Sequence, residues 1–141
     1  MRSVGATAVS SIVMPISWLQ DADKRRLVIT YTDPYNIEEW FPIAEAIISS
    51  GLLADHAVLI DRRHSAPPSP DFVQALIEFF EAHAPRMKGT RGAIIVKNAR
   101  DSGMSRMLAA WAEIRAPNYT VRVFDDYAKA EAWLDRPVRR R

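Results

Sequence analysis

Apolar and polar residues alternate from 11 to 19, with Ile12, Met14, Ile16 and Trp18 on one side. They alternate again over 26–32, where Leu27, Ile29 and Tyr31 share a side. Period-two alternation marks a strand with one face buried. The intervening QDADKRR is polar and charged, so the two segments predict an antiparallel hairpin. Pro15 places the first strand at an edge or delays its start. The period then lengthens. Ile37, Trp40, Phe41, Ala44, Ile47 and Ile48 form a helical stripe between an N-cap at Asn36 and a terminating Gly51. Pro42 lacks the N–H that would bond back to Glu38. Either the helix kinks there, or 36–41 is a preliminary turn and the regular helix starts near Pro42.

Residues 57–60 are continuously apolar and end in Asp61, the pattern of a strand buried on both faces. The loop RRHSAPPS follows. Ser69 and Pro70 then occupy the N-cap and first position of a helix running to about His83, with Asp71 in its first turn. Phe72, Val73, Leu76, Ile77, Phe79 and Phe80 give that helix a wide apolar face, and Pro85 stops it. Another buried strand is predicted at 91–97. NARDSG leads into a helix whose Met104, Met107, Leu108, Trp111 and Ile114 predict a single core-facing stripe, broken at Pro117. The last strand is 120–124, and Asp125 or Asp126 caps a helix through Leu134. Strand and helix in regular alternation call for an α/β fold: a mostly parallel sheet with right-handed crossovers and helices on its faces. One domain is expected over 11–135, with 1–10 a frayed start and 136–141 a basic tail.

Composition narrows the classes of function. A chain of 141 residues, 48% apolar and 26% charged, can bury a core as one domain. With no cysteine there is no disulfide framework, thiol nucleophile or thiolate metal site, which suits the cytoplasm. No run is long and apolar enough to predict a membrane span, and the N-terminal stretch, interrupted at Pro15, is a poor signal peptide. The net charge is +2, from nineteen basic and seventeen acidic side chains. Four of the basic ones are Arg136, Arg139, Arg140 and Arg141, so the remainder carries −2. A basic footprint for nucleic acid is therefore not expected on the domain.

Candidate chemistry gathers at the predicted carboxyl ends of the strands, where open α/β sheets favour ligands. Asp33, Asp61, Lys97 with Asn98, and Asp125 with Asp126 would lie there, a set comparable to a magnesium-dependent phosphoacceptor site. Each Asp equally well begins a turn or caps a helix. Arg62, Arg63 and His64 could hold an anion at the following helix N-terminus, or be solvated. His64 and Ser65 are adjacent on a loop without a nucleophile elbow. His56, His64 and His83 fall on separate elements, without metal-ligand spacing, and the five glycines form no phosphate-binding loop. No metal or cofactor is expected.

The run S-G-M-S-R-M at 102–107 and V-R-V-F-D-D-Y-A-K-A-E-A-W-L at 121–134 resembles the bacterial STAS/SEC14-type proteins, small domains similar to anti-sigma-factor antagonists. V-L-I-D-R-R at 58–63 and R-R-L-V-I-T-Y-T at 25–32 fit the same layout. The resemblance covers roughly 12–134 and implies about five strands, the first antiparallel, with four helices. In that family the loop after the central strand carries a phosphorylatable serine, usually in Asp-Ser-Ser-Gly. Here Asp61 is present, the Ser-Ser-Gly is replaced by a longer loop, and Ser65 or Ser69 would take the serine's place.

The expected function is thus a non-enzymatic interaction or regulatory module. It would contact a protein partner or a second copy of itself through Asp61, Arg62, Arg63, His64, Ser65, Ser69 and the following helix. The alternative is a small apolar or lipid-like ligand, which the SEC14 side of the resemblance implies, held near Trp40, Met104, Met107 and Trp111. A hydrolase or phosphoryl-transfer enzyme using Asp61 ranks last, since no base–nucleophile–oxyanion set can be assembled around it.

Overall fold

Alternation along the central strand sorts the molecule into two layers. The computed structural model describes residues 15–87, 89–115 and 119–136. Five strands, β1 (Ile16–Asp21), β2 (Arg26–Thr32), β3 (Ala57–His64), β4 (Thr90–Ile95) and β5 (Tyr119–Phe124), form one sheet in the order β1-β2-β3-β4-β5. β1 pairs antiparallel with β2, and every other neighbour is parallel. The helices are α1 (Ile37–Ser50), α2 (Pro70–Ala82), α3 (Gly103–Arg115) and α4 (Tyr127–Leu134). Leu27, Ile29, Tyr31, Val58, Ile94 and Tyr119 face α1, α2 and α3 in the main core. Leu59, Ala93 and Ile95 face α4 through Ala130, Trp133 and Leu134. The expected sheet, with an antiparallel first strand and four helices, is therefore present.

Local chemistry explains the ends. The hairpin turns at Ala22–Arg25, where Arg25 adopts a left-handed φ of 51° and the Lys24 amide donates to Asp21 Oδ1 at 3.1 Å. In α1 the Asn36 side chain accepts from the Glu39 amide at 3.1 Å, and the Glu39 carboxylate accepts from the Asn36 amide at 2.8 Å. This capping box satisfies two otherwise orphaned donors. Pro42 then lies inside one continuous fourteen-residue helix, so the capped first turn belongs to the helix rather than preceding it. Gly51, at φ 78°, ends it in the left-handed conformation that favours glycine. Ser69 caps α2 by accepting from the Phe72 amide, and Asp126 caps α4 by accepting from Lys129.

Three expectations are corrected. β1 runs to Asp21, because Gln20 and Asp21 pair with Leu27 and Arg26; Ile12 and Met14 lie outside the described residues. β3 continues to His64 rather than ending at Asp61, because Thr30 pairs with Asp61 and Thr32 with His64 across a register shift. Asp61, Arg62 and Arg63 are therefore strand residues. Finally, α3 is rotated from its expected face. Ser105, Leu108 and Ala112 are buried, whereas Met107, Trp111 and Ile114 are 38, 42 and 78% exposed. Small residues at 105 and 112 let the helix lie close to the sheet, which turns the larger apolar side chains outward.

Arginines add to the apolar contact of Ala130, Trp133 and Leu134 in holding α4 on the opposite face. Arg26, buried in β2, reaches Glu131 at 3.1 Å and Asp135 at 2.5 Å. The Arg91 guanidinium donates to the carbonyls of Trp133 and Leu134 at 3.0 and 3.2 Å, and to that of Arg136. These are carbonyls at the helix C-terminus, where a cation also suits the dipole.

Close packing at β4–β5 gives a stability test. A Cβ added at Gly92 would stand 2.5 Å from the buried Tyr119 hydroxyl. Gly92→Ala is expected to cost about 1–3 kcal/mol, the usual range for overpacking. Tyr119→Phe, by removing the nearest atom, should recover part of that loss. Urea unfolding of both single variants and the double variant measures the coupling. Strictly additive effects would mean that the contact does not limit this position.

Candidate functional site

The segment richest in reactive side chains is divided by the sheet. Asp61 and Arg63 point to the α4 side. The Arg63 guanidinium donates to both Asp61 oxygens, at 2.9 and 2.8 Å, and the Arg63 amide adds a third bond at 3.1 Å. Arg63 also lies 4.9 Å from the centre of the Tyr127 ring. Burial pushes the Asp61 carboxyl up, but the hydrogen bonds and charge of Arg63 outweigh it, and the group titrates below its ordinary value. Both oxygens being engaged, Asp61 is an ion-pair partner in this geometry rather than a free acceptor of a phosphoryl group.

Arg62 points to the other face. Its guanidinium carbon lies 4.2, 5.1 and 5.7 Å from the ring centres of Tyr31, Tyr35 and Phe72. The same rings pack edge-on against one another. Such a cage attracts a cation through the negative ring faces. Arg62 also donates to the Tyr35 hydroxyl and, at 3.4 Å, to the Ala66 carbonyl. The expectation of solvated adjacent arginines is corrected here: Arg62 is only 6% exposed. A sequence signal was present, since Val58, Ile60 and Arg62 share one period-two face.

The connection from β3 to α2 is pinned at Ala66. Its amide donates to both Asp33 oxygens, at 3.0 and 2.9 Å, and its carbonyl accepts from Tyr35 at 3.2 Å. Ser65 donates to the Arg62 carbonyl at 3.4 Å, while Ser69 is committed to the α2 cap. His64 is exposed. A shallow depression joins Arg63, His64 and Ser65 to Lys97 and Asp101, so this connection and the approach to α3 share one surface. Of the remaining candidates at the strand ends, Asn98 caps a 3-10 turn by accepting from the Asp101 amide, Asp126 caps α4, and Asp125 is exposed. Among the described residues no three His, Cys, Asp or Glu side chains converge as metal ligands. Nor is any helix there long and apolar enough to cross a membrane.

A cavity of about 70 Å³ lies between the sheet and α1, α2 and α3. Of the four residues expected to line an apolar pocket, Trp40 does so. Met104 packs against the core without lining the cavity, and Met107 and Trp111 are on the outer face of α3, for the rotation described above. Arg62, Ser105, Tyr31 and Tyr119 also line it. Burial pushes both tyrosine phenols above their ordinary range, that of Tyr31 against the opposing charge of Arg62. Nothing in the sequence flagged Ser105, which reads as one polar residue in an ordinary helix.

Sequential strand order, an antiparallel first strand, three helices on one face and one on the other define a STAS-like α/β fold. A solved neighbour has this architecture: an uncharacterised protein from the DUF3478 family, with a SpoIIAA-like fold, from Shewanella loihica PV-4. The match has a TM-score of 0.58 and 20% identity, and covers 90% of this chain and 99% of that one. No family model matches the sequence, and no curated protein does.

The Asp61–Arg63 pair sets a pH dependence. A folded-state value below the unfolded one contributes stability above the unfolded value, near 3.8, and that stability is lost as pH falls through the folded value. Wild type should exceed Asp61→Asn in stability at pH 7, and the gap should close as pH falls from 4 toward 2. Denaturant unfolding across that range measures it. A gap of constant size would rule the ion pair out as its source.

Proposed function

We propose that the protein is a non-enzymatic docking module of the cytoplasm whose contact surface combines the pinned 64–69 connection with the outer face of α3. The observation that carries this reading is the stripe Met107, Trp111 and Ile114, exposed on a helix whose other side is fully packed. Isolated exposed apolar residues are unremarkable, but three along one helix face favour a macromolecular contact. The connection supports the reading because Asp33, Tyr35 and Arg62 fix its backbone, leaving it little conformational entropy to lose on binding. Its potentially reactive groups are engaged in structure: Asp61 by Arg63, and Ser69 by the helix it caps. Were the surface switched by phosphorylation, Ser65 is the better position, since Ser69 is committed to the α2 cap and Ser65 lines a depression with Arg63, His64 and Lys97 as well as Asp33 and Asp101.

A second reading, a small-ligand domain, is favoured by the core cavity. At about 70 Å³ it is half the size of an engineered cavity of roughly 150 Å³ that admits benzene, so a lipid acyl chain does not fit.

Docking is tested by photocrosslinking in the native cell. A crosslinking amino acid at 114 or 65 should give discrete protein adducts, and one at the exposed hairpin position 23 should not. Adducts to a second copy would identify the partner as self. Equal yields from all three positions, or none from any, would overturn the proposed surface.

A further inference from the structure

Among the described residues, three buried side-chain polar atoms have no hydrogen-bond partner: Arg26 Nε, Arg62 Nε and Ser105 Oγ. Arg26 is accounted for, because its guanidinium is paired with Glu131 and Asp135. The other two belong to residues that line the same core cavity. Arg62 is 6% exposed and Ser105 1%. No carboxylate of the described residues pairs with Arg62, although a buried charge without a counter-ion is among the costliest features a core can carry. The aromatic cage and two oxygen acceptors offset part of that cost. They leave the net positive charge in place.

The two orphaned groups occupy the same end of the cavity in the topology. Arg62 is near the carboxyl end of β3, and Ser105 is in the first turn of α3, the helix entered from the carboxyl end of β4. The rest of the lining is largely apolar, with Trp40, Ile47, Leu76, Phe80 and Ile94 among it. A cationic donor and a hydroxyl above an apolar chamber call for an amphiphilic anion. A guanidinium matches a carboxylate, and one arginine balances one negative charge, which disfavours phosphate or sulfate dianions. The chamber volume limits the tail to a few carbons.

We infer that the cavity is a binding site for a short-chain aliphatic monocarboxylate, with Arg62 as counter-ion, Ser105 as hydroxyl donor and the alkyl tail in the chamber between sheet and helices. The inference rests on the small-ligand reading above and supplies its chemical class; it is independent of docking.

The test is titration of the full ¹⁵N-labelled chain with sodium butyrate, butyramide, 1-butanol and sodium octanoate, at fixed pH and ionic strength. Butyrate should give saturable amide shifts around Arg62 and Ser105, with an affinity at least about tenfold above that of butyramide or butanol, the scale of one charge-assisted bond. Octanoate should bind more weakly than butyrate. Arg62→Gln should lose the preference for the anion, and Ser105→Ala should weaken butyrate several-fold. The wild-type comparison decides the matter even if Arg62→Gln does not fold. Equal binding of butyrate and its neutral analogues would overturn the anion assignment while leaving the small-ligand reading intact. Tighter binding of octanoate would overturn the size limit. No saturable shift with any of the four would overturn both.

Discussion

Burial of β3 on both faces is the constraint on which the rest depends. A central strand of a parallel sheet normally consists of apolar residues, yet this one carries Asp61, Arg62 and Arg63 into its ladder with β2. Each charge must be compensated within its own layer, since the sheet stands between the layers. On the α4 side Asp61 and Arg63 neutralise each other two residues apart along the strand. On the other side no carboxylate of the described residues pairs with Arg62, and Tyr31, Tyr35 and Phe72 close around it instead. Those three rings come from β2, the β2–α1 connection and the start of α2. Compensation of one side chain therefore fixes how three segments meet at the carboxyl edge.

The amino edge solves a related problem with the opposite chemistry. Arg26 and Arg91 also point to the α4 layer, and both are met by that helix: Arg26 by the Glu131 and Asp135 carboxylates, Arg91 by the terminal carbonyls. α4 is only eight residues long, too short to be stable by its own hydrogen bonds. Its apolar contribution rests on Ala130, Trp133 and Leu134. Four helices thus divide unequally between the faces, three forming a thick apolar layer and one a thin layer in which charge pairs supplement a small apolar contact. Sequential order of the parallel strands also leaves no reversal in winding, so the crevice that doubly wound sheets offer to ligands is not formed.

Much of this was legible in the residues. Period-two runs located β1 and β2, and Ser69-Pro70 and Asn36 marked the starts of α2 and α1 through capping chemistry that needs only local neighbours. What was not legible depended on partners distant in sequence. Asp61 to Arg63 resembled a loop because three charged residues in a row are normally solvated, and nothing local announces a Tyr31–Tyr35–Phe72 cage. The face of α3 is hidden in the sequence for a different reason. Large apolar residues dominate a periodicity, whereas Ser105 and Ala112 decide the packing by being small. In the buried stripe through 105, 108 and 112 only Leu108 is a large apolar residue, and the expected stripe shares it.

That rotation gives α3 two chemically distinct sides, each attached to one of the proposals. Its inner side brings Ser105 to the core cavity, and its outer side presents Met107, Trp111 and Ile114. Trp111 is further steadied by Arg115, whose guanidinium lies 5.4 Å from its ring centre and also pairs with Glu81 of α2 at 2.8 Å. A ligand that engaged Ser105 would act on the same rigid helix that a docking partner would grasp. Proximity alone does not make such sites communicate. Coupling requires that the ligand bind two positions of α3 with different affinity, and by linkage the partner must then discriminate between them equally. Small residues on the inner side make a shift of the helix sterically feasible, because Ser105 and Ala112 interlock less with the sheet than larger side chains would. The Arg115–Glu81 pair opposes such a shift by tying α3 to α2. Occupancy of the chamber reaches the surface only if binding at Ser105 outweighs the packing of α3 on β5 and α2, to which the partly exposed Arg115–Glu81 pair adds little.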